Sequence, residues 1–245
     1  MGAPRVITII PARGGSKSIP KKNLSLVGGK PLIYYSIRES LKARLVEATI
    51  VSTDSEEIAE ISRSFGADVP FLRPAEFSDD TSPDIDFLKH AVEWLETNRG
   101  WKPEIVVFLQ PTSPSRTAEE IDSAIQLMDK TGCDSVRTVI TELAYHPLKT
   151  LLIEDEKKMR VTPVISLMPR FAKLAEGSDP ARQILPKMAQ PVGLVYATRT
   201  SFIKKGRVWG EDVRAIIVPK EKLTDIDSPN DLIETEKVMR KFNLL

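Results

Sequence analysis

The sequence predicts an α/β fold, a Rossmann-like, doubly wound and mostly parallel sheet. Three observations carry that expectation. Short β-branched apolar runs alternate with stretches of helical periodicity, the connections are short, and the rhythm persists through about residue 140. In such sheets ligands gather outside the carboxyl ends of the strands. The loops after Ile10, Leu72 and Leu109 are therefore expected on one rim.

The elements follow in order. Val6 to Ile10 is an apolar run that reads as a buried strand. Residues 11 to 30, rich in Pro, Gly, Ser and Lys, are not expected to be regular. Pro31 opens a helix with Leu32, Ile33, Ser36, Ile37, Ser40 and Leu41 on one face. Ala48 to Ser52 is a strand, and Thr53 or Ser55 caps a helix carrying Ile58, Ile61 and Phe65. A short strand is expected over 69 to 72, and a helix over 84 to 97 with Ile85, Leu88, Val92 and Leu95 inward. Residues 104 to 109 form the most apolar strand, Thr117 caps a helix with Ile121, Ala124, Ile125 and Met128, and residues 134 to 140 are another strand. Residues 141 to 190, with prolines at 147, 163, 169, 180 and 186, break the rhythm and read as an excursion with a hairpin near 149 to 164. Strands return at 192 to 198 and 213 to 218, with a short helix from Thr200 to Lys205 between them. Ser228-Pro229-Asn230-Asp231 starts a final helix with Leu232, Ile233, Val238, Met239 and Phe242 on its apolar side. The chain is read as one domain, 1 to 245, with 141 to 190 inserted.

Bulk properties exclude several function classes. Lys+Arg 35 against Asp+Glu 34 leaves a net charge of +1, which argues against nucleic acid or a membrane surface as partner. An anionic substrate would need a local basic cluster. One cysteine, Cys133, in an apolar run reads as a small buried residue and suits a reducing cytoplasm. Two histidines, His90 and His146, argue against a multi-histidine zinc centre. No run has the length of a membrane span, and the start shows no signal-peptide pattern.

The loop after the first strand reads Pro11-Ala12-Arg13-Gly14-Gly15-Ser16-Lys17-Ser18-Ile19-Pro20-Lys21-Lys22-Asn23. Two adjacent glycines allow close approach and exposed N–H groups, and Arg13, Lys17 and Lys22 add cations. That combination suits a triphosphate and the charge developing on a transferring phosphorus. The common phosphate fingerprints are absent, and the alternative is a solvated basic loop with turn-forming glycines.

This loop, continuing to Gly29-Lys30-Pro31-Leu32-Ile33, resembles the opening motif of the CMP-sialic acid synthetases, the acylneuraminate cytidylyltransferases. Further blocks match in order: Val51-Ser52-Thr53-Asp54, Leu72-Arg73-Pro74-Ala75-Glu76, Leu109 to Pro114 with Arg116-Thr117, His146-Pro147-Leu148-Lys149, and Asp225-Ile226-Asp227. The resemblance covers nearly the whole chain, and CMP-KDO synthetases differ in the first loop. It implies a nucleotide-diphospho-sugar transferase type of fold with a small dimerisation insertion, and hence a homodimer. It implies attack of a sugar hydroxyl on the α-phosphorus of CTP with loss of pyrophosphate. Arg13, Lys17 and Lys22 match positions handling the triphosphate, with Gly14, Gly15 and Ser16 in the same loop. Pro11, Ala12, Asn23 and Arg73 match the nucleoside pocket, and Asp84 lies nearest its base-reading position. Gln110, Thr112 and Tyr196 match sugar-facing positions, and Lys149 and Arg182 match insertion positions serving the sugar and its carboxylate.

The remaining blocks have physical readings of their own. In an extended segment Asp225 and Asp227 point the same way and suit one Mg²⁺, with Mn²⁺ as the alternative ion. Otherwise Asp227 only begins the last helix. Gln110 and Thr112, between prolines, offer neutral hydrogen-bonding groups, or else form a stiff turn. Arg73 otherwise reads as half of a surface ion pair, and His146 is expected to be structural. The acidic stretch Asp79-Asp80-Thr81-Ser82-Pro83-Asp84 either only opens a helix or places a carboxylate, Asp84 being nearest the base-reading position, to accept from a cytosine amino group. No residue reads as a nucleophile. The pattern departs from the family at Gln190, at Val192 before Gly193, and at Ala215 to Val218, where aromatics are common; all three lie on the expected sugar side. This points to the same reaction on a different nonulosonic acid, such as legionaminic, pseudaminic or a deaminated acid. The competing readings are a nucleotidyltransferase for another NTP, a sugar 1-phosphate or a KDO-like acid, and a catalytically silent nucleotide-binding protein.

Overall fold

The computed structural model describes residues 2–79, 81–176 and 179–245. The elements are β1 (Val6–Pro11), β2 (Leu26–Val27), β3 (Lys30–Pro31), α1 (Leu32–Lys42), β4 (Ala48–Ser52), α2 (Glu56–Ser64), α3 (Asp84–Arg99), β5 (Ile105–Phe108), α4 (Ala118–Thr131) and β6 (Ser135–Ile140). They continue as β7 (Leu151–Asp155), β8 (Arg160–Pro163), β9 (Gln190–Arg199), α5 (Thr200–Lys204), β10 (Val213–Ile217) and α6 (Pro229–Lys241). The chain divides into two compact units, one running to Thr138 and resuming at Val192–Leu245, the other Val139–Pro191.

The larger unit is built on the main sheet, in the order β10-β6-β9-β5-β1-β4. β1 pairs in parallel with β4 on one side, Ile9 opposite Ile50, and with β5 on the other, Ile9 opposite Phe108. The exception to the parallel expectation is β9, antiparallel to β5 with Tyr196 opposite Phe108. Arg199 N donates to Asp134 O and Val195 N to the Thr138 hydroxyl, so β9 also opposes β6. Because β9 opposes β6, the chain leaves the sheet after β6 and re-enters it at the same rim.

One face of the sheet, Ile7, Ile9, Ile50, Val106 and Phe108, is covered by Phe87, Leu88, Ala91, Val92 and Leu95 of α3 and Ile203 of α5. Elsewhere α1 and α4 pack on each other. A second apolar cluster joins Ile19 of the first loop, Val27, Leu32, Tyr35, Ile226 and Met239. It fixes the first loop and the Asp225–Asp227 segment to the same helices, although they are some 200 residues apart in sequence.

Several local expectations change. The strand expected at 69 to 72 reduces to isolated bridges, Ile50 to Asp68 and Thr53 to Leu72. Residues 11–30 contain a 3₁₀ turn at Lys22–Leu24, and the β2–β3 ribbon extends to Pro31. Gly28 and Gly29 both have positive φ in the two-residue turn of that ribbon. Leu41 and Ile233, expected inward, are exposed. In α6 the buried side is Leu232, Thr235 and Met239, so Ile233 falls about 100° away from it. Ser55 rather than Thr53 is the cap of α2, accepting from Ile58 N. Thr117 and Ser228 each cap their helix through a capping box, with Glu120 and Asp231. Cys133 is buried, as expected.

The unit of residues 139–191 contains the expected hairpin, β7 paired antiparallel with β8. Its small core is Leu148, Ile165 and Leu185 with Phe171 against them. His146 is structural: Leu148 N donates to its Nδ1 and its Nε2 lies 3.0 Å from Pro186 O. Among the described residues no helix is long and apolar enough to cross a membrane.

Candidate active site

The three rim loops line one cavity of about 260 Å³ in the larger unit. The first loop supplies Pro11, Arg13, Ser16, Lys22 and Asn23. The second rim segment supplies Arg73, with Phe77, Ser78, Asp79, Ser82 and Asp84 after it, and the third supplies Gln110, Pro111 and Thr112. Asp80, from the acidic stretch, lies outside the described residues.

The first loop is folded by its own polar groups. Asn23 Nδ2 donates to Arg13 O at 2.9 Å, closing the loop on itself. Ala12 is fully buried and its N–H donates to Ser52 O, so it extends the β1–β4 pairing. The glycines differ from the expectation that both offer N–H groups to phosphate. Gly14 N already donates to Asp54 Oδ1 at 2.7 Å, and a Cβ there would sit 2.9 Å from Ser55 Cβ. Gly14 is thus required by close approach to the α2 cap. Gly15 is exposed with open space around it, and Lys17 is exposed.

Lys22 joins two distant segments. Its Nζ donates to Ile226 O at 2.7 Å and to Asp227 Oδ1 at 3.1 Å. The lysine side chain is 13% exposed and the aspartate 80%, so the ammonium is nearly desolvated while its partner is wet. Ile226 is buried between the two aspartates, and its N–H donates to Thr112 O, tying this segment to the third loop. The Asp225 carboxyl is pushed above the usual carboxylate range by local desolvation and by the like charge of Asp227, against Lys22 and a Thr112 hydrogen bond. Among the described residues no group of three or more His, Cys, Asp or Glu could hold a metal. Two repelling carboxylates next to Lys22, which lines the cleft, nevertheless fit Mg²⁺, which takes one or two carboxylates and fills its sphere with phosphate oxygens and water.

Arg73 is not on the surface. It is 6% exposed, its Nε donates to Ser78 Oγ at 3.1 Å, and its guanidinium lies 5.6 Å from the Phe87 ring centroid. Burial lowers its pKa, Arg13 lowers it further, and Asp54 opposes the change. Asp84 is the first residue of α3, and desolvation raises its carboxyl against the pull of Arg137.

Tyr196 stacks on Phe108 with ring centroids 4.9 Å apart, and the Arg137 guanidinium lies 4.6 Å from the Tyr196 ring centroid. Burial raises the pKa of the Tyr196 hydroxyl, nearby Arg137 opposes the shift, and the charges of Asp84 and Asp225 add to it. Lys149 and Arg182 belong to the other unit; both are exposed, and Arg182 donates to Leu143 O.

Sequence reasoning missed Arg116 and Arg137. Arg116 is fully buried between the third loop and a helix cap, a place where arginine normally signals surface. Arg137 sits inside a strand, and only the alternation of Val136, Arg137 and Thr138 hinted that it faces away from its neighbours. Asp54 stood in a matched block, yet nothing local revealed its bond to Gly14.

Arg13, Lys22 and Arg73 line the cleft together with Asp79 and Asp84, and Lys22 ties it to Asp227. A family model described as cytidylyltransferase matches residues 7–157. The chain is 30% identical over 252 residues to CMP-N,N'-diacetyllegionaminic acid synthase of Legionella pneumophila, covering 96% of each protein. It is 41% identical over 249 residues to the N-acylneuraminate cytidylyltransferase of Escherichia coli, covering 98% of this chain and 53% of that longer protein. The solved structure of CMP:2-keto-3-deoxy-manno-octonic acid synthetase complexed with CTP shares the fold, with TM-score 0.70 at 18% identity over 97% of this chain and 99% of that one. The matched loops and these likenesses lead to one conclusion: the chain belongs to the cytidylyltransferase family, enzymes of the acylneuraminate cytidylyltransferase type.

Proposed function

We propose that the protein transfers CMP from CTP to a sialic-acid-like nonulosonic acid and releases pyrophosphate. The observation that carries this is the convergence of Arg13, Lys22, Arg73, Asp84, Gln110 and Thr112 on one cleft. The sugar hydroxyl forms a bond to the α-phosphorus, the bond from that phosphorus to the β-bridging oxygen breaks, and the hydroxyl proton leaves to a base. Arg13, Lys17 and Lys22 hold the triphosphate and stabilise charge as it moves to the leaving pyrophosphate. Arg73 and Asn23 hold the nucleoside, and Asp84 accepts from the cytosine amino group. Gln110, Thr112 and Tyr196 face the sugar. Asp225 and Asp227 would hold Mg²⁺ or Mn²⁺, which neutralises triphosphate charge and aligns it for in-line attack. With no side-chain nucleophile required, positioning supplies much of the acceleration.

The protein would act as a homodimer in the cytoplasm. Exposed Leu151, Leu152, Ile153, Met159 and Val161 on the β7–β8 hairpin support pairing through that unit. The lone buried Cys133 suits a reducing compartment.

The test is pyrophosphate release with Mg²⁺ across the four NTPs and a panel of nonulosonic acids plus KDO. Release that needs both CTP and a nonulosonic acid supports the reading. Release with another NTP, with a sugar 1-phosphate, or with KDO alone replaces the substrate assignment, and silence with every pair rejects it.

A further inference from the structure

Arg116 is fully buried and, among the described residues, has no carboxylate in ion-pair contact. It spends its donors on neutral oxygens of three elements. Nε donates to Leu194 O of β9 at 2.6 Å, Nη1 to Ser36 Oγ of α1 at 2.5 Å, and Nη2 to Gln110 O, with Gly193 O at 3.4 Å. Desolvation without a paired anion lowers its pKa to about 9. An apolar side chain of similar volume would fill this space without burying a charge. What it would lose is the grip on the carbonyls of Gln110 and of the strand beneath it.

The Gln110 side chain is restrained from the other side. A Cβ at Gly193 would lie 2.8 Å from Gln110 Oε1 and 2.6 Å from Ser113 Oγ. The φ of Gly193 is not positive, so close approach alone demands glycine there. The carboxamide therefore rests on the bare α-carbon of Gly193, its main chain is pinned by Arg116, and it lines the cleft.

We propose that Arg116 and Gly193 are positioning residues that hold the Gln110 carboxamide in one orientation at the acceptor side of the cleft. This rests on the cytidylyltransferase function proposed for the same cleft. A fixed carboxamide, one donor group and one acceptor without net charge, selects an acceptor by the placement of its hydroxyl or amide groups. Neither Arg116 nor Gly193 lines the cleft itself.

The test is a double-mutant cycle of Gly193→Ala and Gln110→Ala, read as kcat and KM for CTP and for the acid the wild type uses best. Gly193→Ala is expected to raise the acid KM roughly tenfold, the equivalent of about one displaced hydrogen bond, and to leave the CTP KM within about twofold. Ser113→Ala is carried in every variant of the cycle to relieve the added methyl group's contact with Ser113 Oγ, and in the Gln110→Ala background Gly193→Ala should then add less than about a twofold change. Arg116→Met should likewise raise the acid KM and spare that for CTP, with Arg116→Lys recovering part of the loss. If the Arg116 variants fail to fold, the Gly193–Gln110 cycle alone decides. An effect of Gly193→Ala that multiplies undiminished with Gln110→Ala, or that falls equally on CTP, overturns the inference while leaving the reaction standing. A wild type silent with every acid overturns the reaction and this inference with it.

Discussion

Lys22→Met separates chemistry from architecture at the point where the first loop meets the aspartate segment. The substitution keeps most of the apolar stem and deletes the ammonium. Two structural contacts are lost: the 2.7 Å bond to Ile226 O and the pair with Asp227. The second is worth little, because Asp227 is 80% exposed and water screens it. The first, a charged donor on a buried carbonyl, contributes about 1.5–3 kcal/mol. At about 2–4 °C per kcal/mol for a chain of this size, Tm should fall by about 3–12 °C. If Lys22 also stabilises the triphosphate as charge develops, a further 2.7–4 kcal/mol or so is lost in the transition state, a fall in kcat/KM for CTP of roughly 10²–10³. Pyrophosphate release at limiting CTP, measured well below the variant's Tm, reads the second effect free of the first. Lys22→Arg should restore more activity than Lys22→Met. A variant that loses Tm while keeping kcat/KM within about threefold of wild type would show that Lys22 is only a tether, and the assignment of the loop to phosphate would fail.

Arg73→Met should raise the CTP KM about tenfold or more with a smaller effect on kcat, since Arg73 is a buried cation lining the cleft; an unchanged KM removes it from the nucleotide pocket. Asp225→Asn should abolish turnover yet raise Tm at neutral pH in metal-free buffer. The folded-state pKa of Asp225 is raised, so the stability linked to its proton is present at low pH and lost as pH rises through the folded value. The gain from Asn should accordingly vanish in acid, and a Tm difference constant with pH would refute desolvation and charge repulsion at Asp225 as its cause. Thr117→Ala should cost about 1 kcal/mol through the lost cap of α4, and about 2–4 °C of Tm, with kcat unaltered; a fall in kcat at constant Tm would place Thr117 in the site instead.

Much of this was legible because apolar period and loop chemistry act locally. The β1 run, the Thr117 and Ser228 caps and the α3 periodicity each have a cause within a few residues, and each appears in the structure. The convergence of three loops on one cleft followed from strand order at the carboxyl rim alone. What stayed hidden depends on partners far away in sequence. Gly14 serves Asp54 and Ser55, Arg116 serves carbonyls 78 residues off, and β9 is reversed by where its chain returns from. Residues 69 to 72 have strand composition, but Pro70 has no N–H to offer the open edge of β4, and only single bridges form.

The central claim is that a sugar hydroxyl becomes joined to the α-phosphorus of CTP. Phosphorus NMR of a reaction holding CTP, Mg²⁺ and a mixture of nonulosonic acids tests it most directly. The account predicts loss of the α-phosphorus signal of CTP and growth of one phosphodiester signal in step with pyrophosphate. Growth of free CMP as a phosphomonoester from the outset, or no change in CTP with any acid, would contradict it.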